Sequence, residues 1–307
     1  MKILTQKMIF LLCLLSIACG REIEVKVIDE EGKPLEGAEV IVHYVGGPSE
    51  EVVKQLTNKN GVVHSRKTER VMRVELKVFK EGYYQSRFRH QHGNALPKDA
   101  EGEYRVVLRK IVNPVPMYAK RVNMIFPSLG KEYGFDFEVG DWVKPHGKGS
   151  QSDVFFLAEK SFNSMFNYRG HVTVRFPNLK DGLRIDSNKI LESVFMSSKQ
   201  ALRDDDYLQK IDVVRGKPRD KNNPNTPLYN YVFRVRSKTG ENGNITKSNY
   251  GRIMGGLFVA AGSDNPTAIA IRFEYYFNPK INDTSLEFAS GSNLFKSLKK
   301  DERVRTP

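Results

Sequence analysis

"VIDEEGKPLEGAEVIV", Val27 to Val42, decides how the N-terminal part of this chain folds. Its centre can be a loop that holds a ligand through Glu30, Glu31 and Gly32-Lys33, or a turn. The flanks choose between them. Ile23, Val25 and Val27 alternate with Glu24 and Lys26, and Ala38, Val40, Val42 and Tyr44 alternate with Glu39, Ile41 and His43. A period of two sends one set of side chains into a core and the other to solvent, as in half-buried strands. Gly32 and Pro34 then read as turn chemistry, with the two acids in water.

The same form recurs at Glu51 to Leu56, Val62 to His64, Val71 to Phe79, Tyr83 to Phe88 and Tyr104 to Leu108. Gly46-Gly47-Pro48, Asn60-Gly61, Gly82 and the polar stretch Gln91 to Gly102 separate these runs. About seven short strands at regular spacing predict a β-sandwich. The stretches "VKVIDEEGKPLEGAEVIV", "TNKNGVV", "KVFKEGYYQSRF" and "EYRVVLRK" resemble the carboxypeptidase regulatory-like domain, a transthyretin-like sandwich, over about 22–110. The resemblance implies a seven-stranded, transthyretin- or Ig-like accessory scaffold without catalytic residues. A companion metallopeptidase would need its own zinc site, and none of the six histidines lies in an H-x-x-E or H-E-x-x-H pattern.

Pro114 and Pro116 break the rhythm, so a boundary is expected near Ile111, with a larger β-rich, sandwich-like domain over 111–295. Asp153 to Leu157, His171 to Phe176, Tyr229 to Arg236, Gly251 to Val259 and Ala268 to Phe277 read as its strands. The fold class is therefore all-β. Segment 188–203 stays open between helix and strand, because Ile190, Leu191, Val194, Phe195, Ser198 and Leu202 fall at helical spacing after Asp186-Ser187, a possible cap. Gly216 to Pro227 and Lys238 to Asn249 read as surface loops, and the basic tail 296–307 as frayed. The run "YGRIMGGLFVA…FEYYFNPKINDTSLEFASGSNLF" is similar to the ends of uncharacterised exported bacterial proteins that carry the regulatory-like module.

Residues 1–20 read as an export signal: Lys2 and Lys7 precede an apolar core, Ile9 to Ala18, too short to span a bilayer. "LLSIACG" resembles a bacterial lipoprotein signal whose modified residue would be Cys19, although Ser16 stands where Leu is usual. Cleavage after Ala18 or after Gly20 by the small-residue rule remains open. The chain has two cysteines, Cys13 and Cys19, so the expected mature body contains no disulfide, cysteine nucleophile or thiolate metal site.

No residue set specifies a reaction, a cofactor or a metal. His90-Gln91-His92 lacks a third ligand, and Asp204-Asp205-Asp206 lacks the alternation of a calcium loop. "PHGKGS", Pro145 to Ser150, lacks the first glycine of a phosphate loop, where Trp142 stands. Trp142, Tyr133 and Tyr250 are candidates for stacking on a sugar, against the commoner use of such rings in a core. The precursor carries +13, and +11 after loss of Lys2 and Lys7. Such an excess suits a solvated basic surface or an envelope polyanion, and export argues against nucleic acid. The expectation is an exported cell-envelope protein, periplasmic or lipid-anchored, acting as a non-catalytic binding or structural module for a glycan, peptide or protein partner. A hydrolase with its site in loops of the second domain is the alternative.

Overall fold

The computed structural model describes residues 21–45, 50–67, 73–90, 103–186, 193–203, 207–218, 224–262 and 265–304. Cys13, Cys19, His92 and Asp204-Asp205-Asp206 lie outside the described residues. Two compact units divide the chain, Met1–Glu81 with Gln85–Leu108, and Gly82–Tyr84 with Arg109–Pro307. The fold is all-β, and no helix occurs among the described residues.

The N-terminal stretch forms β1 (Arg21–Ile28), β2 (Glu39–Val45), β3 (Glu51–Leu56), β4 (Val62–Lys67), β5 (Arg73–Phe79), β6 (Tyr83–Tyr84), β7 (Ser86–His90) and β8 (Glu103–Val107). Seven of these build the first unit as two sheets, β4-β1-β8 and β3-β2-β5-β7. Val25 and Val27 of one and Val40, Val42, Leu76 and Val78 of the other are buried, as their alternation requires. The quoted stretch is a turn. Asp29 Oδ1 accepts the N–H groups of Glu31 (3.0 Å) and Lys33 (2.8 Å), and Gly32 takes φ +84°. Glu30 and Glu31 are exposed.

The run expected as one strand, Tyr83 to Phe88, is two. Ser86–His90 pairs with β5, whereas Tyr83–Tyr84 pairs with β9 (Arg109–Lys110) in the second unit. Tyr84 explains the break: its ring stacks on Phe195 at 4.6 Å and its hydroxyl donates to Glu287 at 3.0 Å.

The second unit continues with β10 (Val115–Ile125), β11 (Glu132–Asp136), β12 (Asp141–Trp142), β13 (Val154–Ser164), β14 (Asn167–Arg175), β15 (Gly182–Ile185), β16 (Lys210–Lys217), β17 (Tyr231–Thr239), β18 (Ile245–Ala260), β19 (Ala270–Asn278) and β20 (Phe288–Asn293). They form a six-stranded sheet, β15-β17-β18-β19-β10-β20, and a five-stranded sheet, β12-β11-β13-β14-β16. The inner faces share one aromatic core, in which Phe137 stacks on Phe233 at 4.4 Å and Phe135 meets Phe273 at 5.6 Å.

Two expectations are corrected and one open reading is settled. The proline pair read as a breaker opens the long strand β10; Pro116 sits where the ladder to β20 shifts register, a position that tolerates a missing donor. Residues 193–203 are not helical but cross the outer face of the six-stranded sheet as an irregular strap. Asp186 caps no helix: its carboxylate accepts Ser197 Oγ (2.7 Å), Ser198 N (2.6 Å) and Ser198 Oγ (2.7 Å), tying the strap down. The tail is docked through Val304, since Glu302 O accepts Arg121 N, Glu302 pairs with Lys120 at 3.0 Å, and Val304 packs beside Met117.

Candidate binding face

The six-stranded sheet carries residues on its outer face in register across β10, β19 and β18. The deepest row, Ala119, Tyr276 and Arg252, extends into Val232 of β17 and is fully buried. The next rows are Arg121–Glu274–Met254, then Asn123–Arg272–Phe258, then Ile125–Ala270–Ala260. Burial falls from the first row to the third because the strap covers only the first rows. Phe195 lies over Arg252 at 4.6 Å, and Arg252 lies over Tyr276 at 3.9 Å. Arg109 Nη1 holds the strap by donating to Phe195 O (2.8 Å) and Ser197 O (2.5 Å).

Beyond the strap the sheet is open, with Asn123, Ile125, Phe258 and Arg272 exposed. This panel borders a depression of ≈ 850 Å³ that Lys300 and Asp301 also line. Arg272 Nε donates to Asn123 Oδ1 at 2.9 Å, and Arg121 Nε lies 3.6 Å from Glu274. Glu274 also acts on the buried Arg252, whose guanidinium desolvation lowers below the usual arginine range while Glu274 and Asp186 oppose that shift. A bulge at Gly255-Gly256, with φ +69° and +80°, separates Met254 from Phe258. The added residues bend the strand there, and Gly255 N donates to Asn230 Oδ1 at 2.8 Å.

On the outer face of the five-stranded sheet, His171 sits between two acids. Nδ1 is 3.1 Å from Glu159 Oε2 and Nε2 is 2.8 Å from Asp212 Oδ1, which also accepts Thr173 Oγ1. With both ring nitrogens against carboxylates, the imidazole is occupied rather than poised toward a substrate. Between the sheets, Arg236 forks onto Asp153 (2.7 and 3.0 Å) and also meets Glu138 and Asp136. Burial pushes the Asp153 carboxyl up, while the Arg236 fork and the Phe137 N–H pull it back. This is a structural ion cluster.

The aromatic residues singled out in the sequence are not brought to an edge. Trp142 and Tyr133 pack on each other and on Phe126, and Tyr250 lies with Val232 and Leu286 under the strap. Buried rings present no face to a sugar. Four N–H groups of "PHGKGS" are likewise taken: Lys148 N donates to Asp141 Oδ2 (3.0 Å), Ser150 N to Asp136 Oδ2 (3.1 Å), His146 N to Val143 O and Gly149 N to Trp142 O. His90 ends β7, and its partners in the sequence motif fall outside the described residues. Among the described residues no group of three or more His, Cys, Asp or Glu side chains is arranged to hold a metal ion.

The panel residues escaped the sequence reading because Arg121, Asn123 and Ile125 stand on β10, which the proline pair hides, and Arg272 is an ordinary polar alternate of β19. No family model and no curated protein matches the sequence. Among solved structures, a DUF3823 family protein from Parabacteroides merdae aligns over 82% of this chain and 95% of its own, at 8% identity and a TM-score of 0.22. At that score the alignment carries no argument about function.

Proposed function

We propose that this chain is an exported, non-catalytic envelope protein that holds an acidic glycan on the open half of its six-stranded sheet. The observation that carries the reading is the panel itself, where Asn123, Arg272 and Phe258 lie in one exposed row beside the strap and Arg121, half-buried against Glu274, stands in the row before. Guanidinium forks match carboxylates or sulfates, and an exposed ring gives a flat apolar surface beside them. A shallow face without a converging acid, base and nucleophile suits holding a ligand rather than cleaving one. The first unit, a sandwich of three and four strands, supports the regulatory-like reading and serves as scaffold. The N-terminal signal supports export, with Cys19 as the site of a lipid anchor.

The test is titration of the mature protein with polygalacturonate, with neutral dextran as control. Arg121→Glu with Arg272→Glu is expected to weaken binding by about tenfold or more. Wild-type affinity should also fall between about 0.1 M and 1 M salt, as the Debye length shrinks from roughly 10 to 3 Å. Equal affinity in the double variant, or cleavage of the polymer, contradicts the reading. For the anchor, Cys19→Ser is expected to move the protein from the membrane fraction to the soluble one; unchanged partitioning removes the acyl chain from this account.

A further inference from the structure

The hairpin of β13 and β14 turns through Met165 and Phe166, with Ser164 paired to Asn167. Neither residue takes a positive φ, so the turn makes no demand for glycine, asparagine or aspartate and leaves the choice of side chains open. Methionine and phenylalanine bring nothing to such a turn, and here neither is used in packing: Met165 is 54% and Phe166 78% exposed. The local backbone is served by Ser164, whose Oγ accepts Phe166 N at 3.2 Å. Two large apolar side chains therefore project from a tip whose geometry does not ask for them.

Behind the tip the strands are basic. Lys217 pairs with Tyr168, Arg169 with Ser161, and Arg215 with Gly170. Lys160 lies 4.8 Å from the Phe162 ring centroid and donates to the carbonyls of Asn265 and Ala268. The one acid on these strand ends, Glu159, faces His171. At about 3.3 Å per residue, the Lys217 row stands roughly 7 Å behind Phe166 and Arg169 roughly 10 Å behind. Apolar groups at a membrane interface sit about 5–10 Å deep. This spacing puts Met165 and Phe166 among acyl chains when the cations reach the headgroups.

We infer that the Met165–Phe166 tip inserts into an anionic lipid surface, with Arg169 and Lys217 as its headgroup contacts; Lys160 and Arg215 lie a row further back, held on the carbonyls of Asn265 and Ala268 and of Thr226. A knob rather than a groove, surrounded by like charge, matches a fluid anionic interface better than an apolar pocket. The inference is independent of the glycan face and of any anchor at Cys19.

The experiment compares Phe166→Trp with Leu179→Trp in the full chain. Leu179 is 85% exposed and follows the far end of β14, while the native Trp142 is buried and its signal is subtracted using the parent chain. With vesicles of equimolar phosphatidylglycerol and phosphatidylcholine bearing brominated acyl chains, Trp at 166 is expected to be quenched and Trp at 179 not. The quenching should vanish in pure phosphatidylcholine and at high salt. Absence of quenching at 166, or equal quenching at both positions, overturns the insertion; equal quenching in neutral vesicles overturns the anionic assignment.

Discussion

Replacing Arg236 by alanine is expected to destabilise the second unit by about 3–5 kcal/mol, the range found when one partner of a buried ion pair is removed. The cost arises from what remains. Asp153 is fully buried and Asp136 nearly so, and both would keep carboxylates in the core without the guanidinium that now faces them. The Arg236 guanidinium is held well above the ordinary arginine range by Asp153 and Glu138, against the opposing effect of burial, so it is charged at any working pH. Its backbone takes φ 58° at the bulge after Val235, which swings the side chain between the sheets. Arg236→Lys is expected to recover only part of the loss, because an ammonium cannot fork across both oxygens of Asp153. Urea unfolding followed by circular dichroism measures both; a loss below about 1 kcal/mol for Arg236→Ala would show that the cluster is solvated.

Trp142→Ala is expected to cost about 3–5 kcal/mol as well, through a cavity that the surrounding rings cannot close. The indole is 4% exposed and packs among Phe126, Tyr133, Phe135 and Phe156. The same substitution should leave the polygalacturonate affinity of the folded fraction unchanged, since the ring lies in the core. Unfolding curves and titration of the same variant separate the two effects. A stable variant with weakened binding would return Trp142 to the sugar-stacking role that the sequence allowed.

Strands that bury one face and wet the other were legible, because alternation is a local signal. Val25, Val27, Val40 and Val42 are core, and the five strands read in the second domain are present with their ends shifted, some lengthened and others starting or stopping a residue or two inside the expected bounds. β10 was hidden by Pro116, whose cost as a breaker vanishes at a register shift on the side toward β20. The strap was hidden for a different reason. The helical spacing of Val194, Phe195, Ser198 and Leu202 comes from separate tertiary partners: Phe195 meets Tyr84, Arg109 and Arg252, and Ser198 meets Asp186.

The open panel could not be read for a related reason. Arg121 and Asn123 stand on β10, which the sequence hides, and Arg272 looks in the sequence like any solvent-facing alternate. What distinguishes them is where the strap ends, and that depends on Asp186 and Arg109 finding Ser197 and Ser198 or the carbonyls of Phe195 and Ser197. The buried row made of Arg252, Tyr276 and Val232 has the same strand pattern as its exposed neighbours. Local periodicity reports which face a side chain takes; only the tertiary cover reports whether that face is free.

The most direct test of the binding face is hydrogen–deuterium exchange of the mature protein with and without polygalacturonate. Protection is expected in peptides covering 119–125, 254–260 and 270–276, and not in those covering 155–161 and 169–175 on the outer face of the five-stranded sheet. Protection centred on His171, or no protection by a polymer that binds, would contradict the assignment of the six-stranded face as the site.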